Sequence, residues 1–234
     1  WYKDAVAYGL VASLKEGGVV EGLTVELNVT MDNPGNQYTY FGGIVGLLDG
    51  GTIRDCKVTG TIDGYNRIGG VVGYAKAGTI EKVNVDVTIK ARMHDDAKND
   101  KKDNYKYTGY AVAGGIIGYE SAGTVEIKDC TVKAVLTRML SDGTTVIPKN
   151  LEDSTPSSDM KGLIVGQLDT WKNTGKGGYT TAGYTEWDAT GSATKLNLTN
   201  VTVNDAVLKD ADKTKTNLFG THQSDKFATR ITIA

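Results

Sequence analysis

Apolar and polar residues alternate with period two through much of this chain. Residues 56–62 read CKVTGTI and residues 83–89 read VNVDVTI, with an apolar side chain at every second position except Gly60. That period predicts β-strands that bury one face, whereas a helix would repeat its apolar positions every 3.6 residues. The pattern therefore predicts an all-β chain.

The alternating stretches recur as copies of one unit. Each clear copy opens with a glycine-flanked aliphatic block, and the blocks at Gly43–Leu47 and Gly70–Tyr74 lie 27 residues apart in register. The flanking glycines permit either a close backbone approach or a positive φ at a corner. The copies lie near residues 9–29, 42–62, 69–89, 114–136 and 162–207, and a terminal coil is expected at 217–234.

Aligning the copies places apolar residues above one another in columns. The first column holds Leu23, Cys56, Val83, Cys130 and Val201; the second holds Val25, Val58, Val85, Val132 and Val203; the third holds Val29, Ile62, Ile89, Leu136 and Val207. Units of this length, each with two or three strands, stack as coils and bury their inner faces against their neighbours. We therefore expect residues 1–234 to form one domain, a right-handed parallel β-helix (a solenoid) of about five to six coils with long loop insertions.

The two cysteines are expected to be free and buried. Cys56 and Cys130 share a column but are separated by Val83. At ~4.8 Å per rung their Cα atoms would lie ~9.6 Å apart, beyond the ~7 Å limit of a disulfide. With two histidines and no cysteine pair, the chain offers no evident ligand set for a metal, and we expect no cofactor.

Net charge and hydropathy argue against nucleic acid and against a membrane as partners of this chain. Among 234 residues, 26 Lys and Arg stand against 28 Asp and Glu, so the net charge is −2 and no basic footprint for nucleic acid is present. No apolar run approaches the ~20 residues of a membrane helix, so this segment is not expected to insert into a membrane. Because the chain begins at Trp1, we expect that an export signal has been removed.

One stretch carries a family resemblance. Residues 42–47 read GGIVGL and residues 50–60 read GGTIRDCKVTG, a combination that resembles the GLUG-motif repeat. The resemblance is strongest at 42–62, 69–89 and 114–136. It implies an extracellular module of a bacterial cell-surface protein, including proteins of Bacteroides-type gut bacteria, with a role in adhesion. The motif itself implies no catalytic residues.

Long excursions interrupt the repeats and provide the candidate binding residues. The excursions at 30–41, 90–112 and 137–161 fall at one point of the repeat, whereas the one at 169–193 falls elsewhere. Insertions that share a face are often the binding face of a repeat protein. Aromatic side chains in these excursions could stack on sugar rings or could pack their own loops onto the coil. The candidates are Tyr38, Tyr40, Tyr105, Tyr107 and Trp171.

A charged stretch at 95–104 is better explained as a solvated loop than as a calcium site, because three lysines oppose a cation.

A candidate catalytic site is the outward column that contains Asp55, Lys82 and Asp129. Its two carboxylates would lie ~9–10 Å apart, near the upper limit for an inverting glycosidase pair. The simpler interpretation is an exposed ladder in which Lys82 separates like charges.

The sequence as a whole favours a non-catalytic surface module that binds a glycan or a host surface protein through its insertions. Two alternatives remain open. One is a carbohydrate-active β-helix enzyme, either a polysaccharide lyase or a hydrolase, and the other is a structural spacer within a larger surface protein.

Overall fold

The computed structural model describes most of the repeat region. The described residues are 6–32, 39–93, 111–121, 123–147, 160–168, 172–173, 179–180, 183–184, 187–188, 194–215, 217–221 and 227–234. Within these ranges the chain forms strands and two short 3₁₀ helices, with no α-helix.

The first three repeats follow one another with similar strands. Repeat 1 contains β1 (Val6–Tyr8), β2 (Val11–Lys15), β3 (Val19–Glu21) and β4 (Thr24–Thr30). Repeat 2 contains β5 (Thr39–Gly42), β6 (Val45–Arg54) and the first part of β7 (Lys57–Gly69). Repeat 3 contains the last part of β7, then β8 (Val72–Glu81) and β9 (Asn84–Arg92).

The remaining repeats are less regular. Repeat 4 contains β10 (Ala111–Gly114), β11 (Ile117–Glu120), β12 (Thr124–Lys128) and β13 (Thr131–Met139). Repeat 5 contains β14 (Lys161–Gly162), β15 (Val165–Leu168), β16 (Lys172–Asn173), β17 (Tyr179–Thr180), β18 (Gly183–Tyr184), β19 (Trp187–Asp188), β20 (Lys195–Thr199), β21 (Thr202–Val203) and β22 (Ala206–Val207). A 3₁₀ helix (Asp210–Thr214), β23 (Phe219–Thr221), a second 3₁₀ helix (Phe227–Arg230) and β24 (Ile231–Ile233) complete the described chain.

Strands at equivalent positions of successive repeats pair in parallel, which confirms the all-β and parallel predictions. One ten-stranded sheet contains β1, β4, β5, β7, β9, β10, β13, β14, β21 and β22; the other contains β2, β3, β6, β8, β11, β12, β15, β20, β23 and β24. The first sheet is mixed, because β22 pairs antiparallel with β21. Two small antiparallel pairs, β16 with β19 and β17 with β18, lie outside these sheets, and an isolated antiparallel bridge joins Met139 to Val146.

The predicted cysteine column is confirmed. The amide of Asn84 donates to the carbonyl of Cys56 at 2.9 Å, and the amide of Thr131 donates to the carbonyl of Val83 at 3.1 Å. Cys56, Val83 and Cys130 therefore occupy consecutive rungs. All three are buried, with 2%, 0% and 0% of their surface exposed.

Both cysteines are free thiols, as the spacing predicted. The Cys56 thiol donates to the carbonyl of Arg54 at 3.0 Å, and the Cys130 thiol donates to the carbonyl of Lys128 at 3.2 Å. Burial raises the pKa of Cys130 to about 11. The thiolate is the nucleophilic form, so this thiol is a packing group rather than a reactive one.

The third predicted column is correct from Val29 to Leu136 but wrong at Val207. Asn204 and Asp205 have φ values of 47° and 66°. Two consecutive left-handed residues form the tight turn of an antiparallel hairpin. The chain therefore reverses, and Val207 lies opposite Thr202 with 54% of its surface exposed.

The outward column that contains Asp55 and Lys82 is a left-handed corner of the backbone. Five equivalent residues before successive strands have φ between 50° and 70°, namely Gly22, Asp55, Lys82, Asp129 and Asn200. Gly, Asn and Asp tolerate this conformation better than other residues, because a Cβ crowds the following carbonyl oxygen. The corner explains four of these five residues, and Lys82 is the exception.

We predict that Lys82→Asn raises the free energy of unfolding by about 0.5–1 kcal/mol by relieving this backbone strain. The ion pair between Lys82 and Glu81 is exposed, so its loss should change little. Urea titration of the variant checks the expectation. The control is Lys57→Asn, two residues beyond the corner of the preceding repeat. Lys57 does not have a positive φ, so this substitution should bring no gain.

Glycines bring the two sheets together at each glycine-flanked aliphatic block. A Cβ on Gly69 would lie 2.5 Å from the amide nitrogen of Gly118, and one on Gly73 would lie 2.8 Å from the carbonyl carbon of Phe41. Neither glycine has a positive φ. Of the two roles proposed from sequence, close backbone approach therefore applies here.

Candidate binding surface

The three insertions begin and end at equivalent points of the repeat. In register, Tyr65 lies beside Arg92 and Arg92 beside Met139, while Asn66 lies beside Ala111. We call this line of strand ends the insertion edge. The prediction that the insertions emerge along one side is confirmed for their described ends. The strands β5, β9, β10 and β13 extend into the predicted loops, so the insertions are shorter than the sequence predicted.

Side chains of the insertion edge fasten neighbouring repeats to one another. Arg92 Nε donates to Asp63 Oδ1 at 2.5 Å, and its guanidinium lies 5.5 Å from the Tyr65 ring centroid. The Asp63 hydrogen bond raises the pKa of Arg92 above its usual value. Arg138 Nε donates to the carbonyl of Ala111 at 2.6 Å. The base of the insertions is therefore held by partly or fully buried charged groups.

The outward faces of the two sheets meet beside the insertion edge. Tyr40 from β5 stacks on Tyr74 from β8, with ring centroids 4.9 Å apart. Tyr119 from β11 contacts both rings, with its centroid 5.1 Å from that of Tyr74 and 5.9 Å from that of Tyr40. Repeats 2, 3 and 4 each contribute one ring, so the three rings form one cluster that joins these repeats. Offset aromatic stacking of this kind stabilises the contact beyond its buried area.

A buried arginine completes this cluster. The Arg67 guanidinium lies 5.3 Å from the Tyr40 centroid and 5.1 Å from the Tyr119 centroid. Its Nε donates to Gln167 Oε1 at 3.4 Å. We call Tyr40, Arg67, Tyr74, Tyr119 and Gln167 the tyrosine groove. Tyr74 and Tyr119 are half-buried, while the other three are buried.

Of the predicted binding residues, the structure describes Tyr40. That side chain lies in β5, is only 4% exposed and packs inside the tyrosine groove. Tyr38, Tyr105, Tyr107 and Trp171 lie outside the described residues, as does the charged stretch 95–104.

Four groove residues were not among the sequence candidates: Arg67, Tyr74, Tyr119 and Gln167. A signal for two of them was present, because Tyr74 and Tyr119 each follow a Gly-aliphatic-aliphatic-Gly block directly. Register confirms that these tyrosines are equivalent, and it places Gln167 next in the same column. Arg67 shows no such repetition.

The candidate carboxylates Asp55 and Asp129 are both exposed at the left-handed corner, with Lys82 on the rung between them. Asp129 Oδ1 accepts a hydrogen bond from Asn200 Nδ2 at 2.7 Å.

Within the described ranges, no group of three or more His, Cys, Asp or Glu side chains is arranged to hold a metal. Nor does any helix there have the length and hydropathy to cross a membrane.

One interior position is exceptional. Glu120 lies in register with Ala75 and Leu168, in an inward column that also contains Leu48. The side chain is 0% exposed, and neither carboxyl oxygen has a hydrogen-bond partner. Burial alone raises the pKa of Glu120 well above its usual range. Burial therefore favours the protonated carboxyl over the carboxylate.

Comparison with known families supports part of the resemblance. The family model described as the GLUG motif matches residues 37–63, which include β5, β6 and the first part of β7. Comparison with curated proteins gives no match, and comparison with solved structures gives none either. The match covers a single repeat, and the parallel register extends the same unit through the neighbouring repeats.

Proposed function

We propose that this chain is one right-handed parallel β-helix and that it is a non-catalytic, extracellular module of a bacterial cell-surface protein, such as those of Bacteroides-type bacteria. In this proposal it binds a glycan or a host surface protein through the insertion edge and the adjoining tyrosine groove. The match to the GLUG motif supports the surface assignment.

The single observation that carries the binding proposal is the position of the tyrosine groove. Three insertions begin and end in register, and the strands that follow them lead directly into the outward face that holds Tyr40 and Arg67. Tyr74 and Tyr119 are half-buried, so part of each side chain stays accessible, and a tyrosine offers both apolar and hydrogen-bonding contact to a sugar or a polar protein surface. One hydroxyl is already positioned, because Tyr74 Oη lies 2.8 Å from Ser121 Oγ.

The enzyme alternative is less well supported. The left-handed corner gives Asp55 and Asp129 a conformational role, since these residue types suit a positive φ. The hydrogen bond from Asn200 to Asp129 also fits a stacked corner. We therefore favour binding without turnover.

A glycan array combined with a hydrolysis screen on the purified chain tests this proposal. We expect binding without product formation. Product formation would establish the carbohydrate-active alternative, and a chain that binds neither glycans nor host surface proteins would be a spacer.

The groove is tested with the bound glycan or protein as the probe. Tyr74→Ala combined with Tyr119→Ala should weaken binding about tenfold or more, the loss typical of aromatic anchors. Tyr74→Phe keeps the ring and is the control that should retain binding. Tyr105→Ala with Tyr107→Ala tests the insertion between β9 and β10. Unchanged affinity in both double variants, with thermal unfolding intact, would remove this face from the proposal.

A further inference from the structure

The two ends of the repeat stack differ in how they are covered. At the C-terminal end, β22 folds back on β21 and both 3₁₀ helices lie against β24. Leu208 is buried there, and its amide donates to the carbonyl of Val201 at 2.8 Å, so it closes the cysteine column. At the opposite end of the same column, Leu23 is 37% exposed.

The first repeat has an open edge among the described residues. There β4 pairs with β7 alone, and β2 and β3 pair with β6 alone. Five of the eight large apolar side chains that are exposed in the described chain belong to this repeat: Val6, Tyr8, Leu10, Val19 and Leu23. Proteins usually protect such edges with proline or with inward charges. The first proline of this chain is Pro34, after β4 has ended.

The backbone groups that face outward from β4 can be identified. The carbonyl of Leu23 accepts from Lys57, and the amide of Met31 donates to Asp63, so odd-numbered residues face β7. Backbone groups alternate sides along a strand, and the even-numbered residues of β4 therefore present their N–H and C=O to the open edge. The even-numbered side chains are polar and point outward, whereas Val25 and Leu27 point into the core.

We propose that the open edge of β4 pairs with the same edge of a second copy of this chain, in an antiparallel, two-fold dimer. A head-to-tail arrangement is blocked because the C-terminal end is covered. A two-fold contact joins identical edges and closes on itself.

The sequence of β4 is self-complementary in that arrangement. With Leu27 at the two-fold axis, Glu26 lies opposite Asn28, Thr24 opposite Thr30, and Val25 opposite Val29. The first two pairings match even-numbered residues, whose free N–H and C=O groups then bond reciprocally. No like charges face each other, and the apolar side chains continue the core across the contact.

The mass of the purified chain in solution tests the dimer. Light scattering should give twice the protomer mass of 24.9 kDa. Asn28→Pro removes a free edge donor without disturbing the bonds to β7, and should give a monomer. Asn28→Thr keeps the donor and should remain a dimer. A monomeric wild-type chain at several hundred micromolar would overturn the proposal, as would a well-folded Asn28→Pro dimer.

A cross-linking experiment keeps the test decisive if the proline variant misfolds. A mixture of Glu26→Cys and Asn28→Cys chains should form a disulfide-linked heterodimer under mild oxidation, because these positions face each other. Each variant alone should cross-link much less. Equal cross-linking of all three samples, or none in the mixture, would contradict the register.

Discussion

Gly69→Ala is expected to prevent folding or to lower the free energy of unfolding by more than about 4 kcal/mol. Its Cβ would lie 2.5 Å from the amide nitrogen of Gly118 and still closer to the carbonyl oxygen of Val72. Both obstacles are backbone atoms in paired strands, so neither can shift without breaking a sheet ladder. Urea unfolding followed by circular dichroism provides the measurement.

Gly22→Asn is the matched control. Gly22 has a φ of 70°, and nothing lies within 4 Å of the Cβ that a side chain would add there. Asn200 occupies the equivalent corner with a φ of 50°. The control should change stability by less than about 0.5 kcal/mol. If Gly69→Ala were tolerated as well as Gly22→Asn, the close approach of the two sheets would be wrong.

Glu120→Leu is expected to stabilise the protein by about 3 kcal/mol at pH 7. The substitution replaces a buried carboxyl that lacks hydrogen bonds by the side chain found at Leu48 and Leu168 in the same column. It removes the penalty of burying an unpaired polar group and adds apolar contact. Urea titration of both proteins measures the difference.

The same pair of proteins should differ in pH dependence. Burial raises the folded-state pKa of Glu120 above the unfolded value of about 4.3, so the folded protein holds its proton more tightly. Its contribution to stability is therefore greatest below that value and falls by about 1.4 kcal/mol per pH unit as the pH rises towards the folded pKa. The advantage of Glu120→Leu should widen from pH 5 to pH 7.

Glu120→Gln separates the two effects, because it removes the titration but retains a buried polar group. Its pH profile should be as flat as that of Glu120→Leu, with a smaller gain in stability. A constant difference between wild type and Glu120→Leu at all pH values would show that Glu120 is not buried as described.

The strand columns could be predicted because one physical constraint is repeated in every unit. The inward residues of one column, such as the column from Val25 to Val203, occupy equivalent places in the interior of successive repeats. The period-two pattern and the 27-residue spacing therefore give the register of the strands directly. Val207 broke this rule because two left-handed residues, Asn204 and Asp205, reverse the chain first. That turn depends on the local backbone conformation, and aligning the apolar columns gives no information about it.

The tyrosine groove could not be predicted in the same way. Tyr40 and Tyr74 are on different sheets, and they meet because glycines let the backbones approach. Period-two alternation says which residues point outward but not whether two outward faces meet. Tyr40 was therefore expected in a loop, whereas it is buried in a strand. Glu120 likewise breaks an apolar column without any repetition that could mark it.

The central claim is that consecutive repeats stack in parallel register along the cysteine column. Scalar couplings across hydrogen bonds, measured by NMR on deuterated protein, test it most directly. We predict couplings from the amide nitrogen of Asn84 to the carbonyl carbon of Cys56, and from that of Thr131 to that of Val83. A coupling that joins Thr131 directly to Cys56, or other partners for both amides, would contradict the account.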